Sequence, residues 1–227
     1  MDIAIRVENL WYKYPGSQDL YTLKGIDLYL YSGNIYIITG PNGAGKSTLL
    51  MVLAGLLKPV KGDVTINNVS IFRNRDMRRY IGILFQNPDA MLFNPSVYDE
   101  LVYSIKQIES SEKIIADRLS YWLNYFSLNT SILSQKPYTL SYGYKKLVAL
   151  ISILMYSPPI LLLDEPHTGL AKRFVDKLLK LVVEHKMKGG LTVIATHNLK
   201  LYRDIADSFI RLENGSIVKI RSVKTYI

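Results

Sequence analysis

Along residues 1–35 apolar, β-forming runs alternate with polar turn signals. Ile3–Val7, Leu10–Tyr14, Tyr21–Leu23 and Ile26–Leu30 are β-forming runs, broken by Pro15-Gly16 and closed by Ser32-Gly33. That pattern predicts an antiparallel sheet. Ile35–Thr39 then reads as a short buried strand, and the next apolar stretch, helical over 46–57, stops near Lys58-Pro59. Val64–Ile66 and Val69–Phe72 flank Asn67-Asn68, a hairpin pattern. Ile81–Phe85 is another short strand.

From Asn87 to about Ser134 the period changes. Val97–Ile108 and Glu112–Phe126 carry apolar residues three and four apart, the spacing of one helix face. Ser141 is placed to cap a further helix running through Lys145–Tyr156, which Ser157-Pro158-Pro159 ends. Ile160–Leu163 is unbroken aliphatic, as expected of a parallel strand covered on both faces. An amphipathic helix over Lys172–Lys188, a strand at Leu191–Ala195 and a hairpin of Phe209–Leu212 with Ile217–Ile220 around Asn214-Gly215 follow. Strands and helices alternating in this way predict an α/β domain spanning 1–227. Its core is assigned to 1–86 and 140–227, with an N-terminal antiparallel β part, and 87–139 to an inserted helical subdomain.

Composition narrows the classes. A chain of 227 residues can bury a full core, and 28 Lys+Arg against 19 Asp+Glu give a net charge of +9. That charge suits nucleic acid, an acidic membrane surface or a nucleotide site, and does not choose among them. Without cysteine there are no disulfides or thiolate metal sites. The longest apolar runs, such as Leu49–Leu57, fall well short of a membrane span. Met1–Arg6 lacks the layout of a signal peptide. A soluble, cytoplasmic location is therefore expected.

Candidate chemistry sits at the ends of the buried strands. Gly40-Pro41-Asn42-Gly43-Ala44-Gly45-Lys46-Ser47-Thr48 has Gly, four residues, then Gly-Lys-Ser between a strand and a helix, the arrangement of a phosphate-binding loop. Its glycines let backbone N–H groups turn inward beside the positive helix end, Lys46 neutralises phosphate charge, and Ser47 offers a hydroxyl to Mg²⁺. Asp164-Glu165 directly follow Ile160–Leu163, so one carboxylate can hold Mg²⁺ and its neighbour can polarise water; the same pair can instead simply cap a strand end. His197 follows Leu191–Ala195 and can bond a phosphate or the attacking water, although a lone histidine is usually structural. Gln86 after Ile81–Phe85 can reach Mg²⁺ or water.

Together these segments resemble a known family. Gly40–Thr48, Gln86, Leu140-Ser141-Tyr142-Gly143-Tyr144, Leu161-Leu162-Leu163-Asp164-Glu165-Pro166 and Thr196-His197 are similar in order and spacing to the Walker A, Q-loop, signature, Walker B and switch-histidine motifs of ABC ATPases. Phe85–Val97 and Tyr12-Lys13-Tyr14-Pro15-Gly16 look more narrowly like the ATPases of energy-coupling-factor transporters, importers of metal ions and vitamins. The resemblance implies a P-loop NTPase fold of ABC-ATPase type with a mostly parallel core sheet, and ATP hydrolysis with Mg²⁺. It implies Glu165, His197, Gln86 and Lys46 as catalytic groups and Ser47, Gln86 and Asp164 around the metal. Tyr14 stacks on adenine in this reading, or else packs on its own sheet. Ser141 and Gly143 would face the ATP of a second ATPase subunit paired head to tail, and an integral-membrane subunit would be the machine driven, with the ATPase peripheral on the inner face of the membrane and no nucleic-acid partner. Met91, Leu92 and Phe93 are assigned to that membrane contact or to local core.

Three positions depart from the pattern. Tyr142 and Tyr144 stand where the family usually has Gly and Gln, and Ala171 stands where Asp is expected after Gly169-Leu170. All three belong to the half-site offered to a partner, which suggests a heterodimer with one competent site; tolerated variants in a homodimer are the alternative. Two rival functions remain: an ABC-type ATPase acting on nucleic acid or ribosomes, and an ATP-binding partner subunit that barely hydrolyses.

Overall fold

The computed structural model describes residues 4–17 and 20–223; Met1, Asp2 and Ile3, where the opening strand and any leader are read, lie outside the described residues. Strands β1 (Ala4–Tyr12) and β2 (Leu23–Tyr31) come first, and β3 (Ile35–Thr39) runs through a loop into helix α1 (Lys46–Leu53). Then follow β4 (Lys61–Ile66), β5 (Val69–Ser70), β6 (Ile81–Leu84), α2 (Val97–Lys106), α3 (Glu112–Phe126) and α4 (Tyr142–Leu154). The chain continues with β7 (Ile160–Asp164), α5 (Lys172–Met187), β8 (Leu191–Ala195), α6 (Leu199–Tyr202), β9 (Ser208–Glu213) and β10 (Ser216–Ser222).

Packing divides these elements into two compact units. The first comprises residues 1–83, 159–165 and 182–227; the second comprises 84–158 and 166–181. The segment 87–139 lies wholly within the second, which also takes in α4 and the start of α5.

In the first unit a four-stranded antiparallel sheet has the order β2-β1-β4-β5. Alternation suggests four short strands before residue 31, yet the chain makes two long ones. The reason is local: Asn9 adopts φ 41°, and the register with β2 slips between Val7 and Leu10. A bulge absorbs the break between the first two runs, and asparagine tolerates the left-handed backbone that it needs. The Asn9 N–H donates to Asp27 Oδ1 at 2.8 Å while its own Oδ1 accepts the Trp11 indole N–H at 2.8 Å. The expected hairpin at Asn67-Asn68 is present, with φ 50° and 66° at the two turn residues, the pair of positive values that a two-residue turn of this hand requires.

The second sheet of this unit has the order β10-β9-β3-β8-β7-β6, with β9/β3, β3/β8 and β8/β7 parallel and β9/β10 antiparallel. Every residue of β7 and β8 is buried, which explains their unalternating aliphatic sequence. One core joins the inner faces of both sheets and α1, from Ile5, Leu10 and Leu28 to Leu49, Leu53, Leu162 and Val193. An antiparallel part, a mostly parallel core sheet and helices are the α/β architecture that the pattern predicts.

The second unit is helical. α2 packs on α3 and α4, burying Leu101, Ile105, Leu119, Leu123, Val148 and Ile151. Ser96 and Ser111 cap α2 and α3 through their hydroxyls. Ser141 occupies the cap position of α4 with an extended backbone, but its side chain makes no capping bond and the helix starts at once, at Tyr142. Among the described residues no helix is long and apolar enough to cross a membrane.

Candidate functional site

The chemistry of the first unit starts from strand order. Because β3, β8 and β7 are parallel neighbours, three chain ends leave the same edge of the sheet: Gly40 after β3, Thr196 after β8 and Glu165 after β7. Such an edge is where ligands of open parallel sheets bind.

Residues 40–45 form a loop leading straight into α1. Gly40 has φ 151°, and a Cβ there would run into the carbonyl oxygen of Leu212 on β9. Gly45, at φ 100°, is the cap residue of α1. No side chain caps that helix start and no acidic residue lies in its first turn, so its leading N–H groups and dipole are presented to the loop rather than consumed by the protein. Lys46 folds back over the loop, its Nζ donating to Gly40 O at 2.9 Å and Pro41 O at 3.0 Å. A glycine-lined helix start with an ammonium held across it fits a polyphosphate. Tyr14, far away in sequence, is brought to this place. Its hydroxyl shares a 3.1 Å hydrogen bond with Thr48 Oγ1, and its exposed ring meets Tyr12 edge-on at 5.0 Å between centroids.

Across the edge stand the acidic residues. Asp164 and Glu165 are both buried, and Glu165 is forced to φ 44°, a region that non-glycine residues enter at a cost of about 1–3 kcal/mol. The next strand supplies what holds it there. Glu165 Oε2 accepts from Thr196 Oγ1 at 2.9 Å, and Oε1 accepts the His197 N–H at 2.9 Å and lies 2.7 Å from His197 Nδ1. The His197 side chain is 70% exposed against 8% for Glu165, so the imidazole links a buried carboxylate to the surface. Behind them lies Tyr202, fully buried, whose hydroxyl pKa is pushed up by burial and further by the Glu165 charge. Ser47 and Asp164 bring hard oxygen donors of the kind Mg²⁺ takes, one or two per site. Of the expected residues, the loop Gly40, Pro41, Asn42, Gly43, Ala44, Gly45, Lys46, Ser47 and Thr48, with Tyr14, Asp164, Glu165 and His197, are thus gathered in one unit. Thr196 is a polar partner that the strand-end pattern did not single out by role; its burial between two strands was the missing signal.

Gln86, Ser141 and Gly143 belong to the second unit. Gln86 is exposed, and its carbonyl accepts hydrogen bonds from Tyr142 and Lys146. Ser141 is exposed at the start of α4, and Gly143 packs so closely on the Gly169 carbonyl that a Cβ would strike it. Phe93 is 68% exposed, its ring edge-on to Tyr103 at 5.0 Å, so it is not local core. Met91 is half-buried, with its sulfur 3.3 Å from the Phe85 N–H.

Comparison with known proteins gives the family. Residues 23–168 match the family described as ABC transporter. The energy-coupling factor transporter ATP-binding protein EcfA2 of Clostridium perfringens is 35% identical over 223 residues, 96% of this chain and 77% of that protein. The structure of cbiO1 from Clostridium perfringens, described as part of the ABC transporter complex cbiONQ, superposes with a TM-score of 0.81 at 32% identity, covering 98% of this chain and 89% of that one. A bacterial ABC transporter cassette solved as a dimer gives a TM-score of 0.87 at 26% identity, with 98% and 100% covered.

The buried network makes a direct stability prediction. Thr196→Val removes a donor to a buried carboxylate and the acceptor of the Asn198 N–H. It should lower unfolding stability by about 1–3 kcal/mol, read as a reduced urea midpoint at unchanged slope. A midpoint equal to that of the parent protein would show the hydroxyl to be idle.

Proposed function

The chain belongs to the ABC transporter family of ATP-binding proteins, and from that premise we propose that it hydrolyses ATP to drive a membrane importer of the energy-coupling-factor type. One observation carries the hydrolytic part: Glu165 sits at the end of β7, buried and held by Thr196 and His197, two strands from the strand that feeds the phosphate loop. A carboxylate so placed, with an imidazole at its side, is equipped to orient and polarise water. The uncapped start of α1 and Lys46 bind the phosphates, and Tyr14 offers an aromatic face to the base. Ser47 and Asp164 would hold Mg²⁺, with Gln86 as the further oxygen that the family likeness assigns. Mg²⁺, when bound, neutralises charge on the phosphate oxygens during transfer. His197 steadies the transferring phosphoryl group, and the remaining work is positioning and electrostatics.

The importer type rests on the likeness to EcfA2 and cbiO1. The ATPase would be peripheral, at the inner membrane face, bound to an integral-membrane subunit through the segment around Phe93. The second ATPase in the assembly would carry a conventional signature, because Tyr142, Tyr144 and Ala171 all alter what this chain offers across a head-to-tail pair.

Three experiments test these statements. Glu165→Gln keeps the shape of the side chain and should cut ATP turnover about a hundredfold or more while ATP stays bound in a filter assay; turnover within a few-fold of the parent would sink the hydrolytic role. Phe93→Asp should release the ATPase from membranes of cells that carry the transporter without lowering its melting temperature, and unchanged membrane recovery would refute that contact. Purified alone, the chain should turn over ATP slowly and speed up about tenfold or more when its partner ATPase is added, an effect the size of one lost transition-state contact. Full turnover at two equivalent sites of a homodimer would count against the mixed pair.

A further inference from the structure

We propose that Tyr142 is a positioning residue: its hydroxyl anchors the Gln86 carbonyl and so sets the backbone that carries the Gln86 side chain. The inference rests on the reading of the chain as an ATPase in which Gln86 serves the metal or the attacking water.

Five contacts within the second unit argue for it. Tyr142 Oη donates to Gln86 O at 2.7 Å. One helical turn later Lys146, fully buried, donates Nζ to the same oxygen at 3.1 Å and lies 5.7 Å from the Tyr142 ring centroid. A buried ammonium needs such partners, and here a carbonyl and an aromatic face are among those supplied. Lys145 Nζ bonds Asp89 Oδ1 at 2.7 Å, fastening the other end of the Gln86–Asp89 loop to the same turn of α4. Finally, the Tyr142 ring has a prepared seat. Gly169, at φ 78°, lies under it, and a Cβ there would strike the ring.

A glycine at 142 reaches none of these groups. The usual family residue would leave Lys146 as the remaining side-chain anchor of that carbonyl among the bonds described, so the tyrosine adds a second, shorter one. Burial, and then the Asp89 charge, push the phenol pKa up, which keeps Oη protonated and donating across the physiological range. Tyr144 is fastened separately: its ring meets Phe174 edge-on at 5.9 Å and its hydroxyl is 3.4 Å from Arg173 Nη2. The two tyrosines therefore act on different neighbours, and the inference concerns Tyr142 alone.

Tyr142→Phe tests it, because it keeps the ring on Gly169 and removes only Oη. In the full-length chain, hydrogen exchange of the 84–92 amides should quicken about threefold to tenfold, the scale of one lost hydrogen bond, while amides of α2 and α3 stay unchanged as a control for folding. The Mg²⁺ concentration giving half-maximal ATP turnover should rise by a similar factor, with KM for ATP within about twofold of the parent; a residue that only fills space would move neither. Unchanged exchange at 84–92 overturns the anchor. Faster exchange with an unchanged Mg²⁺ dependence overturns the positioning role. If the parent chain together with its partner ATPase hydrolyses no ATP at any Mg²⁺ concentration, the ATPase reading fails and, with it, the role of Gln86, whereas the exchange result still decides whether Tyr142 holds the loop.

Discussion

A carboxylate buried as deeply as Glu165 must be given donors, and the first unit is arranged so that it is. Burying an ionised group without partners costs far more than folding can spare. Three of its partners lie just beyond the end of β8: Thr196 Oγ1 and the His197 N–H donate to it, and His197 Nδ1 lies 2.7 Å away. They reach Glu165 because β7 and β8 pair in parallel with Asp164 opposite Ala195. The same end of β8 is fastened on its other side, where Thr196 N–H donates to Ile38 O on the phosphate-loop strand at 3.0 Å. A slip of one residue in either pairing would send Thr196 to the opposite face and strand the carboxylate. Register, the bent backbone at Glu165 and the distance from the phosphate loop are therefore one linked constraint.

That linkage explains what could be read from the chain in advance. The phosphate loop is legible because its glycines answer local demands: Gly40 must pass under the Leu212 carbonyl, and Gly45 must turn the backbone into α1. β7 and β8 are legible because strands buried on both faces leave no polar residue to interrupt them. Asn67-Asn68 announces its turn for the same local reason. By contrast, the continuity of β1 and β2 depends on a bulge at Asn9 whose partner, Asp27, comes from the next strand. The bond from Tyr14 to Thr48 and the grip of Thr196 on Glu165 are likewise products of pairing across distant segments. The short helical turn Arg75–Tyr80, capped by Asn74, leaves no mark on the hydrophobic period at all.

Two helix starts in this molecule invite comparison, since both lack a side-chain cap and both lack acid in the first turn. Dipole and unsatisfied N–H groups are thus similar at α1 and α4, and neither can be what separates them. The side chains differ. α1 begins among glycines, with a lysine drawn over the loop; α4 begins with a phenol ring that stands exposed beside the helix start and is bonded to a neighbouring carbonyl. At the first, backbone donors face an open, cationic surface that suits a polyphosphate. At the second, Tyr142 crowds the terminus and commits its hydroxyl inward. The departures at 142 and 144 are consequently not loose surface drift, because each ring is seated against a specific residue, Gly169 in one case and Phe174 in the other. An aromatic side chain held in place by several contacts changes both the shape and the stiffness of the surface it occupies. The tyrosines at the start of α4 are best understood as a surface given over to internal bracing, one ring against Gly169 and the other against Phe174.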